Sequence, residues 1–302
     1  MNAAADDEQV EYFGCQFGLP GEDYTKIGRE RPTEKTARNR RNPPLCWCPL
    51  RGHCKRSPMT EHVQGTDLSR RHRQPEIMDA PDLPAARLVE TLKGLGRVNA
   101  VTQSSRLMWP DLEAAARRNQ GETLRVLDVA CGGGDVLITL WRWANKAGID
   151  VELAGCDASQ EAVAYAREAA SRADARVTFF EHRVTRDALP EGYHVIMSTL
   201  FLHHLDEDDA VDFLRQAASN ARDRLVIQDI LRSRLSYWFA RAGTRLLLLN
   251  DICRLDGRTS VEGAFTKDEA GQLANKAGLA DAEIASRLPF RYLIRWIRPK
   301  TA

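Results

Sequence analysis

The stretch Leu124-Arg-Val-Leu-Asp-Val-Ala-Cys-Gly-Gly-Gly-Asp135 decides the fold. An apolar, β-branched run (Val126, Leu127, Val129) ends in three consecutive glycines. A helical pattern follows, from Asp135 to about Ala147, with Gly148 as its stop. Strand, glycine turn and helix in this order form the context in which a glycine cluster marks a nucleotide site. Glycine tolerates positive φ and has no Cβ, so a ligand approaches the main chain closely. The helix opening at the turn adds free N–H groups and the positive end of its dipole.

The loop also restricts the ligand. A dinucleotide fingerprint needs G-x-G-x-x-G. Gly132 and Gly134 fill the first two positions, but the third falls on Leu137. A phosphate-binding P-loop needs Gly-Lys-Ser/Thr, and Asp135-Val136 stands there instead. Asp135 would repel phosphates at that helix start. The acidic residue ahead of the loop, Asp128, suits a ligand carrying a cationic amine.

The pattern Asp128-x-Ala130-x-Gly132-x-Gly134 resembles the first motif of class I S-adenosylmethionine-dependent methyltransferases, acidic-x-G-x-G-x-G, with Ala at the first glycine. The resemblance implies that the backbone of Ala130, Cys131, Gly132 and Gly134 cradles the methionine part of S-adenosyl-L-methionine. It also implies the fold class: an α/β, Rossmann-like seven-stranded sheet with helices on both faces, N-terminal helices and a helical lid. The alternating strands and helices downstream agree with a parallel sheet. Strands are expected at Leu124–Val129, Val151–Cys156, Arg176–Glu181, His194–Ser198 and Arg224–Gln228. Helices are expected at 159–173 and 206–221. A hairpin around Pro289 is expected to complete the sheet.

Asp157, 23 residues after Gly134, ends the second strand, where open α/β sheets bind ligands. By resemblance it accepts both ribose hydroxyls, with Ala158 beside it. After the third strand, relatives carry an acidic residue for the adenine amino group, but Arg183 stands there. Arginine only donates, so Arg183 would stack on the ring, or the backbone of Arg183 and Val184 would serve. His194 likewise replaces a common Asp at the entry to the fourth strand, and Ser198 closes that strand. Both departures predict weaker cofactor binding.

Ser198-Thr-Leu-Phe-Leu-His-His-Leu205 carries a His-His-Leu signature similar to that of quinone-biosynthesis and polyketide-tailoring methyltransferases. His203 or His204 is thereby a candidate base for a phenolic hydroxyl, since neutral imidazole titrates near neutrality. Asp229 is a weaker candidate. The run from Tyr237 to Asp251 reads as one long apolar helix in the lid position. Ser260-Val-Glu-Gly-Ala-Phe265 resembles a motif of methyltransferases found beside type III polyketide synthases. Thr266 caps the next helix, with Glu269 at the capping-box position.

Ahead of these elements, helices are expected from Pro84 to Lys93, ended by Gly94 and Gly96, and from Asp111 to Arg118. Asn99, Arg106 and Trp109 are candidate pocket residues there. Residues 1–77 read as a basic tail or a non-native extension, and 78–302 as the methyltransferase domain. Between Lys26 and Arg73 lie thirteen Lys and Arg against four acidic residues, with no sustained period. Met78 is a candidate true start. Cys46, Cys48, His53, Cys54 and His62 offer zinc-ligand types at poor spacing, so no metal is expected there. No acidic cluster downstream demands one either.

The net charge of +1 argues against dedicated nucleic-acid binding, and 43% hydrophobic residues support a real core. Seven cysteines, an odd number, suit a reducing cytoplasm. No apolar run is long enough to span a bilayer. The expected function is methyl transfer from S-adenosyl-L-methionine to a small aromatic or polyketide-like acceptor, at a hydroxyl oxygen. Alternatives are C-methylation of a quinone precursor, and a cofactor-binding regulator whose basic tail touches nucleic acid.

Overall fold

Seven strands form one sheet in the order β3-β2-β1-β4-β5-β7-β6. They are β1 (Leu124–Val129), β2 (Val151–Asp157), β3 (Val177–Glu181), β4 (Val195–Thr199), β5 (Arg224–Ile230), β6 (Glu283–Arg287) and β7 (Arg291–Ile297). The first five run parallel, and β7 pairs antiparallel with both β5 and β6. The computed structural model describes residues 67–299 apart from 185 and 248. The chain divides into two units, Met1–His62 and Val63–Ala302, and every described residue belongs to the second. The zinc-type residues at 46, 48, 53, 54 and 62, and most of the basic segment, lie outside the described residues.

The side-chain alternation of a strand explains the layers. In β1, Leu127 and Val129 face one side, where they join α5 (Glu207–Asn220) and α8 (Lys267–Lys276). Leu124 and Val126 face the other, with α2 (Ser104–Arg118), α3 (Asp135–Ala147) and α4 (Gln160–Arg172). A strand buried on both faces must be apolar throughout, as Leu-Val-Ile in β5 and Val-Ile-Met in β4 are. Thr266 and Glu269 form the expected capping box of α8.

Three local expectations are corrected. Helix α1 runs from Ala85 to Val101, straight through Gly94 and Gly96. A Cβ on Gly94 would fall 2.7 Å from the Cys253 sulfur, so that glycine serves close packing and does not stop the helix. Helix α2 begins at Ser104 and carries Pro110 inside it. Asp111 is therefore no cap; it is buried and holds Arg295 at 2.7 Å. The expected single helix from 237 to 251 is two, α6 (Arg234–Leu246) and α7 (Asp251–Gly263). The inner face of α7 includes Asp256 and Ser260, and such buried polar residues hide its period from a hydropathy reading.

Residues 67–77, assigned by sequence to the tail, pack against the folded unit. The Arg71 guanidinium donates to the carbonyls of Gly263, His203 and Leu205 at 2.5–2.9 Å. It also lies 3.9 Å over the Phe265 ring. The Asp256 carboxylate accepts the amides of Ile77 and Met78 at 2.9 and 3.0 Å. The folded unit thus starts ahead of Met78. Among the described residues, no helix is long and apolar enough to cross a membrane.

Candidate active site

The strand order reverses between β1 and β4, and the loops leaving their carboxyl ends diverge there. A cavity of about 720 Å³ opens at that edge, within the usual size range of small-molecule sites. One end is the glycine loop. Ala130 and Gly132 take positive φ (58° and 51°), the left-handed region in which glycine is unstrained. Gly134, at φ 73°, starts α3, and a Cβ there would lie 2.6 Å from the Phe179 ring. Asp157 braces the loop: its carboxylate accepts the Gly132 amide at 2.9 Å and the Ser159 amide at 3.0 Å.

Three carboxyls crowd this loop. Burial raises the pKa of Asp128 well above the ordinary range, and Asp135 and Asp157 add repulsion. Burial also raises Asp135, opposed by its hydrogen bond from Asn99. It raises Asp157 too, opposed by the Ser159 and Gly132 amides. One Asp128 oxygen is buried with no partner. A ligand bearing a sulfonium and an ammonium group fits such a cradle, because its positive charge compensates what the protein leaves repelling. A pyrophosphate does not fit.

The structure brings together most of the sequence-derived set. Ala130, Cys131, Gly132, Asp157, Ala158, Arg183, His203, His204 and Asn99 all line the cavity. Asp128, Gly134, Val184 and Ser198 stand outside the lining. Asp128 is buried and does not reach the lining, in contrast to the expected contact with a ligand amine. Ser198 donates to the Val129 carbonyl at 2.7 Å and ties β4 to β1. Val184 packs against the core. Arg183 lies 3.7 Å from Glu181, which lines the cavity, so that edge does hold a carboxylate. His194 is away from the cavity. It sits before β4, accepts the Arg125 amide at 3.0 Å and faces Glu122, so its replacement of Asp bears on the sheet and not on the cofactor. Arg106 and Trp109 also lie outside the lining; Trp109 packs edge-on against Trp143.

At the other end the two histidines separate. His203 is buried, with Nδ1 2.7 Å from Asp229 and Nε2 3.5 Å from Glu76. Burial works against its charge, but Asp229 and then Glu76 outweigh it and push the imidazole up to about 10. His204 is partly exposed to the cavity, with Nδ1 2.9 Å from Asp79 and Nε2 3.9 Å from Glu76. Asp229, the weaker base candidate, is fully buried and consumed by His203 and the Ile230 amide. Glu76 and Asp79 were missed by the sequence reading. Their only signal was the Pro-Glu-Ile-Met-Asp text beside a composition change.

Strand order, glycine cradle and strand-end carboxylate define the fold, that of class I S-adenosylmethionine-dependent methyltransferases. Residues 126–223 match the family model described as a methyltransferase domain. No curated protein matches the chain. Among solved structures, human N-acetylserotonin methyltransferase in complex with S-adenosylmethionine is similar at 13% identity and a TM-score of 0.52, covering 71% of this chain and 56% of that one. The magnesium protoporphyrin IX methyltransferase of Synechocystis with bound S-adenosylmethionine is similar at 16% identity and a TM-score of 0.43, covering 65% of this chain and 80% of that one. At 13% identity the likeness to the first of these speaks to the fold alone.

Proposed function

We propose that the chain methylates a hydroxyl oxygen of a small aromatic or polyketide-like acceptor. The observation carrying this reading is one cavity that joins the Asp157–Gly132 cradle to the His204–Asp79 pair. The cofactor, when bound, supplies an activated sulfonium methyl. The residues of this chain hold it, orient the acceptor and exclude water.

In this reading the loop backbone of Ala130, Cys131 and Gly132 lies against the methionine part, and Gly134 sets the loop against Phe179. Asp157 accepts the ribose hydroxyls, with Ala158 beside it, and the Arg183–Val184 edge and Glu181 flank the adenine. Asp128 and Ser198 support the loop from below. The acceptor lies between α1 and α6, where Leu92, Leu95, Phe239 and Phe290 line an apolar wall. His204 marks the reacting hydroxyl. Asp79 fixes its Nδ1, while its Nε2 stands 3.9 Å from Glu76, beyond hydrogen-bond distance, on a side chain that lines the cavity. His203 is set aside as a free base, because both of its nitrogens face buried carboxylates.

The test is release of S-adenosylhomocysteine with a panel of phenols and polyketides, with the product analysed for O- or C-methylation. O-methylated product is expected. A C-methylated product would move the reading to the quinone-precursor alternative, and no turnover despite cofactor binding would favour a regulatory role.

A further inference from the structure

The side chains around Glu76 share a geometry that the proposed function does not use. The Nε2 atoms of His203 and His204 lie 3.5 and 3.9 Å from the two oxygens of one carboxylate, Glu76. The donor atoms of the three residues all fall within 4.8 Å of one another. Each Nδ1 meets a separate carboxylate, Asp229 at 2.7 Å and Asp79 at 2.9 Å. Two imidazoles each held through Nδ1 by a carboxylate, with both Nε2 atoms converging, is the outer-shell arrangement that orients histidine ligands on a metal. Bonds of about 2.0–2.1 Å at a tetrahedral angle put donors about 3.4 Å apart. The Glu76 spacings of 3.5 and 3.9 Å are close to this, and drawing donors up to 4.8 Å apart onto an ion needs side-chain shifts of up to about 1.4 Å.

We propose that Glu76, His203 and His204 form a binding site for a divalent ion of the zinc type, with Asp229 and Asp79 orienting the two histidines. Two imidazoles and one carboxylate are the ligand set of catalytic zinc centres that keep a fourth position open. All three ligands line the cavity, so the fourth position faces the acceptor. The site also contains three carboxylates (Glu76, Asp79 and Asp229) around two imidazoles, a surplus of negative charge that a divalent ion offsets. Ser260 donates to Glu76 and steadies it. The expectation that no metal is bound downstream of the tail is thereby revised.

What the ion does rests on the methyl-transfer reading; that it binds does not. A bound ion would lower the pKa of an acceptor hydroxyl at the fourth position, whose O–H bond would break heterolytically with the proton passing to bulk water before the site closes. The oxygen keeps the electron pair and becomes the nucleophile. In the loaded site the ion ionises the hydroxyl, and His204 holds the ion instead of taking the proton.

The test uses the full chain with Cys15→Ser, Cys46→Ser, Cys48→Ser and Cys54→Ser, so that no thiolate near the amino terminus competes. Metal-depleted protein is titrated with Co²⁺ and then Zn²⁺, followed by absorption and metal content. One equivalent of Co²⁺, with ligand-field bands of nitrogen and oxygen coordination and displacement by Zn²⁺, is expected. Glu76→Gln and His204→Gln each lose the site, and Asp79→Asn weakens it about 10–100-fold. Circular-dichroism melts accompany each variant. Where Glu76→Gln does not fold, Asp79→Asn and His204→Gln carry the comparison. Undiminished Co²⁺ binding in those variants, a thiolate charge-transfer band, or no stoichiometric ion would overturn the proposal. S-adenosylmethionine is titrated calorimetrically into the same samples. Its failure to bind with the cobalt site intact would overturn the methyltransferase reading alone.

Discussion

The Asp157 carboxylate accepts the amide of Gly132, 25 residues earlier, at 2.9 Å. The end of β2 thus sets the shape of the loop after β1. Asp157 also lines the cavity, so the side chain that holds the loop is the one proposed to meet the ligand. Asp157→Ala is expected to lose cofactor affinity by about 1.5–3 kcal/mol per charge-assisted hydrogen bond removed, roughly 10–100-fold. Calorimetric titration of S-adenosylmethionine and S-adenosylhomocysteine checks it. Unchanged affinity would place the ribose elsewhere.

Gly134 combines positive φ with a Cβ position 2.6 Å from Phe179. Gly134→Ala is expected to destabilise the fold by about 1–3 kcal/mol through overpacking. At roughly 2–4 °C per kcal/mol for a domain of this size, the melt shifts by several degrees. Gly148→Ala, also at positive φ but with open space around its Cβ, is expected to shift it less.

The buried Asp128 gives a pH signature. An unfolded Asp titrates near 3.9, and the folded one titrates well above that because of burial and its Asp135 and Asp157 neighbours. The folded chain holds this proton more tightly, so its contribution to stability is lost as pH rises from about 4 through the raised value. Asp128→Asn cannot ionise. Its melting temperature relative to the parent chain is expected to climb across that window, and a flat difference would show that Asp128 is not perturbed. Bound S-adenosylmethionine, being cationic, favours the ionised form, so the stabilisation it gives grows as pH rises.

The start of the folded unit is also testable. A chain beginning at Met78 lacks Arg71 and Glu76 and leaves the carbonyls of His203, Leu205 and Gly263 without that donor. Each unsatisfied buried group costs about 1–3 kcal/mol. A chain beginning at Asp67 is expected to melt at clearly higher temperature than one beginning at Met78. Equal melts would restore Met78 as a sufficient start.

Asp79→Asn and His204→Ala separate chemistry from cofactor binding. Both are expected to lower kcat about 10²–10⁴-fold, while the dissociation constant of S-adenosylmethionine stays within a factor of a few. A parallel loss of cofactor affinity would mean that this end of the cavity holds the cofactor.

The sequence by itself determined β1, its glycine loop, α3 and Asp157, because each has a local cause: β-branched runs, positive-φ glycines and a helix cap. It also determined the hairpin around Pro289. Gly94, Pro110 and α7 misled, because their roles depend on packing partners distant in sequence. Gly94 yields to Cys253, and α7 buries Asp256 against the amides of Ile77 and Met78. The acceptor end was decided only by the tertiary structure. Glu76 and Asp79 stand more than 120 residues from His203 and His204, in a segment whose composition reads as tail. The fold brings them together because Arg71 and Asp256 tie that segment over the sheet edge, and long-range hydrogen bonds of this kind leave no period in a sequence.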